Sequence, residues 1–189
     1  MDVSRSYRST AFRRQKQIED CLYEKLLQRP YTSVSISDLC HDLGISRKSF
    51  YNYYPDKDSC FRSIVSSKLR QCILMITTDL PENSSHEEVI AAFLLFWKNE
   101  KLFLDIVVRN NLLHLLIDQC ILFLRDEDRT ILEFLNTPQL ETDAYVLSSY
   151  VTVHITLILQ WYQAGFDTPL MEMVHKYHRL IYQPLIRLE

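Results

Sequence analysis

The chain has 189 residues, 47% of them apolar and 24% charged, with only two glycines and six prolines. That is enough apolar sequence for a sizeable core and too little chain punctuation for disorder, collagen-like repeats or a turn-rich β-sandwich, so long helices remain. The formal charge of −3 is unevenly spread: residues 1–70 hold 13 Lys+Arg and 8 Asp+Glu, a net of +5, against −8 for residues 71–189, so only the first third suits a polyanionic partner.

The apolar positions from Phe12 to Gln28, with Ile18, Cys21, Leu22 and Leu26 on one face, predict a first helix stopped by Pro30. Ser35 followed by Asp38 forms a capping box, and Val34 can staple to Leu39, so a short helix starts at Ser35. Ile36, Leu39, Cys40 and Leu43 share its inner face, and Gly44 supplies the left-handed residue that ends it. Ser46 then caps a second helix, with Ile45 and Phe50 as a second staple. Two helices joined by about three residues make a helix-turn-helix. In the second of them Phe50, Tyr53 and Tyr54 share one face, whereas Lys48, Tyr51 and Asn52, flanked by Arg47, share another. Cations, an amide and a phenol turned to solvent are the groups that read base edges and clasp phosphates.

Pro55 ends that helix, and a long one is predicted from Asp56 to Leu80, striped by Phe61, Ile64, Val65, Leu69, Cys72, Ile73, Ile76 and Leu80. Ser84 or Ser85 with Glu87 and Glu88 opens a helix through Trp97, and KLFLDIVVRN and LLHLLIDQCILFL continue as further helices. The charged DEDR stretch and the NTP segment predict a loop before a helix from about Thr142 to Ala164. Ala144 to Tyr162 carries no formal charge, but Ser148, Ser149, Tyr150, Thr152, His154, Thr156 and Gln160 make it a helix among helices rather than a membrane span. Gly165 closes it. Pro169 opens the last helix, and Pro184 ends it.

The five cysteines, Cys21, Cys40, Cys60, Cys72 and Cys120, form no CxxC pair and read as small buried hydrophobes of a reducing cytosol. The N-terminal MDVSRSYRST lacks the apolar core of a signal peptide or anchor, so a cytoplasmic protein without a membrane partner is expected.

The segment from Ile18 to Phe61, and within it ISDLCHDLGISRKSFYNYYPDKDSCF, resembles the DNA-binding domain of the tetracycline-repressor (TetR) family of bacterial regulators in the order and spacing of some ten residue types. The resemblance covers about a quarter of the chain. It implies an all-α protein with a three-helix helix-turn-helix head at 1–56, then a linker helix and a helical ligand-binding and dimerisation bundle at 57–189. It also implies a homodimer on a palindromic double-stranded operator, acting as a repressor and released by a small-molecule effector. The interface it implies comprises Ser35, Arg47, Lys48, Ser49, Tyr51, Asn52, Tyr53 and Lys57, with Tyr51 and Lys57 on phosphates. For Tyr51, packing is the alternative. QWYQAGFDTPLMEMV is similar to a recurring family pattern that supports dimerisation through the last two helices. Many members have Gly where this chain has Arg29-Pro30, and Phe where it has Tyr54. Both departures should affect packing more than DNA contact.

Arg5, Arg8, Arg13 and Arg14 form either a basic arm near the duplex or an untethered tail. An effector pocket would draw on Phe93, Trp97, Phe103, His114, Tyr150, His154 and Trp161, although aromatics at helical spacing also build ordinary cores. His175 and His178 lack a carboxylate or cysteine at ligand spacing, so surface or interface histidines are preferred over a metal site. No GxSxG, phosphate-cradling glycine loop or HExxH is present, and neither an enzyme nor a cofactor is expected. The rival reading is a helical adaptor or activator that works through a protein partner without a small-molecule effector.

Overall fold

The computed structural model describes residues 3–81, 83–127 and 143–182, with side chains for 10–81, 83–126 and 143–181. The protein is all-α: α1 (Val3–Gln28), α2 (Ile36–Leu43), α3 (Arg47–Tyr51), α4 (Lys57–Asp79), α5 (His86–Asn99), α6 (Lys101–Arg109), α7 (Leu113–Leu122), α8 (Ala144–Gln163) and α9 (Leu170–Tyr182), and no strand occurs among the described residues. Two compact units divide the chain. One contains Met1–Ser67 and Ile106–Leu116, the other Lys68–Asp105 and Ile117–Glu189.

The local signals explain the short helices. Ser35 accepts from the Asp38 N–H and Asp38 takes the Ser35 N–H, a closed capping box at the start of α2. Gly44 ends α2 at φ +60°, a conformation that strains any residue with a Cβ. Ser46 accepts from the Ser49 N–H to start α3, and Ser85 and Glu88 repeat the capping box at α5.

In the first unit α1 packs on α2 and α2 on α3 around Ile18, Leu22, Leu39, Phe50, Phe61 and Val65, all fully buried. Lys25 of α1 pairs with Asp42 of α2. The corner between α6 and α7 belongs to this unit and turns through Asn111 at φ 56°. Its Asn110 Oδ1 accepts the Tyr31 N–H at 2.6 Å.

In the second unit α5 packs against both α8 and α9. Ile76, Ile90, Leu94, Phe103, Leu147, Val174 and Tyr177 have no exposed surface. α8 is long and apolar enough to cross a bilayer, yet Leu147, Val151, His154, Ile155, Ile158, Leu159 and Trp161 bury one side of it against protein.

Several boundaries differ from the expected ones. α1 starts at Val3 rather than Phe12, which places Arg5 to Arg14 on helical backbone; the side chains of Arg5 and Arg8 lie outside the described residues. A 3-10 turn, Tyr31–Ser33, follows Pro30 with no periodic signal to announce it. α3 is regular only to Tyr51, and Asn52 is its C-cap. A π-helical turn, Phe123–Glu127, takes in Asp126 and Glu127, so the expected loop starts later; its remainder at 128–142 and the helix end at Pro184 lie outside the described residues. Cys40, Cys60, Cys72 and Cys120 are buried and Cys21 partly so, all as free thiols. Burial pushes the Cys60, Cys72 and Cys120 thiols far above their ordinary value, which leaves them unreactive.

Candidate functional site

Two regions bring together the residues singled out in the sequence, one in each unit. In the first, the left-handed turn at Gly44 and the cap at Ser46 set the phase of α3. Phe50 and Tyr54 are buried, their rings 6.0 Å apart, and Tyr53 is half-buried. That phase turns Arg47, Lys48, Tyr51 and Asn52 to solvent, with Ser49 at the edge. Neither Arg47 nor Lys48 pairs with a carboxylate among the described residues, whereas the carboxylates of this segment are engaged elsewhere. Asp38 is held by Ser35, Asp42 by Lys25, Asp56 by the Ser59 N–H and Asp58 by the Tyr31 hydroxyl. The Ser35 hydrogen bonds keep Asp38 below the usual carboxylate range, and the Lys25 ammonium does the same for Asp42. Among the described residues, the exposed edge of α3 therefore carries two cations, Arg47 and Lys48, without a carboxylate beside them.

Tyr51, 45% exposed, leans its phenol on Arg47: the guanidinium donates to the Tyr51 oxygen at 3.3 Å and lies 6.0 Å from the ring centre. Lys57 is half-buried at the start of α4. Its Nζ donates to the carbonyls of Tyr31 and Val34, each at 2.6 Å, and sits 3.9 Å from the Tyr31 ring centre. An ammonium has three N–H groups, so one is left over. Ser35 is exposed, but its hydroxyl hydrogen goes to Asp38.

Three residues of this region were not anticipated. Tyr31 carries the 3-10 turn onto Lys57, Asp58 and Asn110. Glu19, 4% exposed on α1, accepts from Tyr54 at 2.6 Å, Ser63 at 2.6 Å and Ser67 at 3.3 Å. A carboxylate in register with the buried stripe of α1 was the available signal for Glu19. For Tyr31 and Asn110, residues far apart in the chain, there was none.

In the second unit Phe93 is the centre of an aromatic cluster. Its ring lies 6.5 Å from Trp97, 6.3 Å from His154 and 6.1 Å from Tyr177, and Trp97 in turn lies 6.3 Å from Phe103. Tyr150 stacks on His154 at 4.0 Å. The His154 Nδ1–H donates to the Tyr150 carbonyl at 2.7 Å, which leaves Nε2 as a bare acceptor. Burial pushes His154 down to about 4, so the ring is neutral at physiological pH. Among the described residues neither His154 Nε2 nor Trp97 Nε1 has a hydrogen-bond partner, though both are buried. Such orphaned groups cost about 1–3 kcal/mol each.

Two of the expected pocket residues stand apart. Trp161 donates to the Thr168 carbonyl at 3.0 Å and meets Phe166 edge-on, closing the corner between α8 and α9. His114 is exposed and belongs to the first unit. Of the paired histidines on α9, His178 faces His86 at 6.0 Å, and with His175, Lys176, Arg179, Glu87 and Glu172 it lines a cleft of about 450 Å³. A groove of about 560 Å³ runs between α8 and α9 along Tyr145, Val146, Ser149, Tyr150, Val153, Leu180 and Ile181.

A short helix with exposed cations, set on a capped turn and packed on two further helices, has the geometry of a helix-turn-helix. Residues 24–64 match the model of the bacterial regulatory proteins of the tetR family. That match covers the helix-turn-helix segment and about a fifth of the chain. Its fold is similar over nearly the whole length to that of the fatty acid degradation regulator FadR from Bacillus halodurans, with 16% identity, 90% of this chain and 95% of that one covered, and a TM-score of 0.53. It is also similar to FadR from Thermus thermophilus, a TetR-family transcriptional repressor crystallised with lauroyl-CoA, with 17% identity, 93% and 96% covered, and a TM-score of 0.55. No curated relative matches the sequence.

Proposed function

We propose that the protein is a cytoplasmic homodimeric repressor that binds a palindromic operator through α3 and is released by a small-molecule effector held in the second unit. The observation that carries this reading is the solvent-facing edge of α3, where Arg47 and Lys48 have no carboxylate partner among the described residues. In this reading residues 1–56 are the DNA-binding part, and 57–189 bind effector and dimerise. Lys48, Ser49 and Asn52 face base edges, and Arg47, Tyr51 and the third N–H of Lys57 take phosphates. Tyr53 and Ser35 flank them, Ser35 chiefly as the cap that holds α2.

The homodimer is supported by α8. Its exposed positions Tyr145, Ser149, Thr152, Val153, Thr156 and Gln160 include no charged side chain, which is unusual for a helix face in water, and Tyr145 is 84% exposed. A helix-turn-helix homodimer reads two half-sites about 34–36 Å apart, one helical turn of the duplex.

For the effector, Phe93, Trp97, Phe103, Tyr150 and His154 supply the aromatic walls. Residues 71–189 are net negative, which favours an uncharged or cationic compound over an anion. Helices α4, α6 and α7 each have residues in both units, so the chain itself connects effector to head. The effector releases DNA by binding more tightly to a state whose two heads are out of register with the half-sites.

The test is selection of bound fragments from genomic DNA, with and without candidate uncharged effectors, with lauroyl-CoA, the anionic ligand of the Thermus protein, as the contrast. The proposal expects fragments sharing an inverted repeat, lost when the effector is added. Random fragments, or none, would favour the helical adaptor or activator that works through a protein partner.

A further inference from the structure

Among the described residues, the proposed effector site holds two polar atoms with no hydrogen-bond partner. His154 comes from α8 and Trp97 from α5, and both rings touch the ring of Phe93. The residues are 6% and 5% exposed, and bulk water does not reach His154 Nε2 or Trp97 Nε1. Their needs are opposite. Nε2 requires a donor because Nδ1–H is committed to the Tyr150 carbonyl, and the indole N–H requires an acceptor. A core that served packing alone would hold Phe or Leu at such positions, because an aromatic cluster gains nothing from polar atoms left unpaired.

We infer that His154 and Trp97 are the polar anchors of the effector site, and that the effector is an uncharged, largely apolar molecule with one O–H or N–H donor for His154 Nε2 and one oxygen acceptor for Trp97 Nε1–H. This rests on the effector reading above and narrows it to a ligand class. An anionic carboxylate is disfavoured at Nε2, since two lone pairs would face each other in an apolar surround. Neutral amides and hydroxy-carbonyl compounds satisfy both anchors at once.

The experiment uses the full chain, labelled with ¹⁵N at histidine and tryptophan, and three small probes of similar shape. Benzamide offers donor and acceptor, methyl benzoate only an acceptor, and benzoate at pH 7 an anion without a donor. Benzamide should shift both the His154 Nε2 and the Trp97 indole resonances and bind about tenfold more tightly than methyl benzoate, the value of one hydrogen bond. Methyl benzoate should shift the indole and leave Nε2 in place, and benzoate should bind most weakly. In His154→Phe, whose folding is checked by circular dichroism and cooperative unfolding, benzamide should lose its advantage over methyl benzoate. Equal binding of benzamide and methyl benzoate, or benzamide binding that moves neither resonance, or no binding by any probe, would overturn the assignment. The same preparation is tested on its selected DNA. Retention of DNA with failure of the probes sinks the anchors and leaves the regulator standing, whereas loss of DNA binding sinks the regulator while the two resonances still decide the anchors.

Discussion

The Tyr54 hydroxyl donates to Glu19 Oε1 at 2.6 Å, tying the turn that follows α3 to a carboxylate buried on α1. Among the described residues no cation pairs with Glu19 in this network; Ser63 and Ser67 supply the other donors. Burial and this hydrogen bond push the Tyr54 phenol upward, so it stays a donor throughout the range in which the protein works. The departure from Phe at this position thus has a partner two helices away. Tyr54→Phe leaves a buried carboxylate short of one donor and should destabilise the protein by about 1–3 kcal/mol. In a urea-unfolding double-mutant cycle with Glu19→Leu, the loss from Tyr54→Phe should largely vanish once Glu19 is gone. Additive losses would mean that the two residues act independently.

The capping pair Ser35 with Asp38 was legible in the sequence because the interacting atoms lie within one turn, as was Gly44, whose positive φ has a local cause; at α5 the sequence left Ser84 and Ser85 open, and Ser85 with Glu88 forms the box. Glu19 with Tyr54 and Tyr31 with Asn110 were hidden because they join residues 35 and 79 positions apart. No spacing rule reaches that far. His114 was grouped with the pocket residues on composition alone, and its phase on α7 turns it to solvent while Leu115 and Leu116 go inward.

The α3 face divides by role. Arg47→Ala and Tyr51→Ala should weaken binding to every DNA sequence and each reduce the salt slope by about 1, whereas Lys48→Ala and Asn52→Ala should relax preference at single base positions. Lys57→Ala removes two hydrogen bonds to the 3-10 turn as well as a phosphate contact. It should therefore lower both affinity and stability, the latter by about 1 kcal/mol. Fluorescence anisotropy on a selected site and on single-base variants separates the classes. Four α3 variants that bind like the parent would place the interface elsewhere.

Dimerisation through α8 is tested at exposed positions, where substitution leaves the core intact. Ser149→Glu with Thr156→Glu puts two charges on the uncharged face and, in a dimer, four against one another. The variant should remain helical and sediment as a monomer at concentrations where the parent is a dimer. A variant that stays dimeric moves the contact off this face.

His154 makes stability depend on pH. Its folded value is lowered to about 4 from an unfolded value near 6.5, so the unfolded chain binds the proton first as pH falls. The stabilisation is complete above the unfolded value and is lost between about 6.5 and 4, by about 3 kcal/mol in all. The titratable groups facing the ring are the phenols of Tyr150 and Tyr177. Carboxylates such as Asp38 and Asp56, whose folded values are lowered, add a loss in the same direction at lower pH. The difference between parent and His154→Phe in urea midpoints from pH 7.5 to 5 isolates the histidine. Parallel midpoints would show that the ring is protonated as readily in the fold as out of it.

The central claim is that two α3 helices grip the phosphates and bases of one duplex. Its most direct measurement is the affinity of the full chain for a selected fragment as a function of salt. Counterion release predicts that log affinity falls linearly with log salt, with a slope of several units and two chains per site. A flat response, or one chain per fragment at saturation, would contradict it.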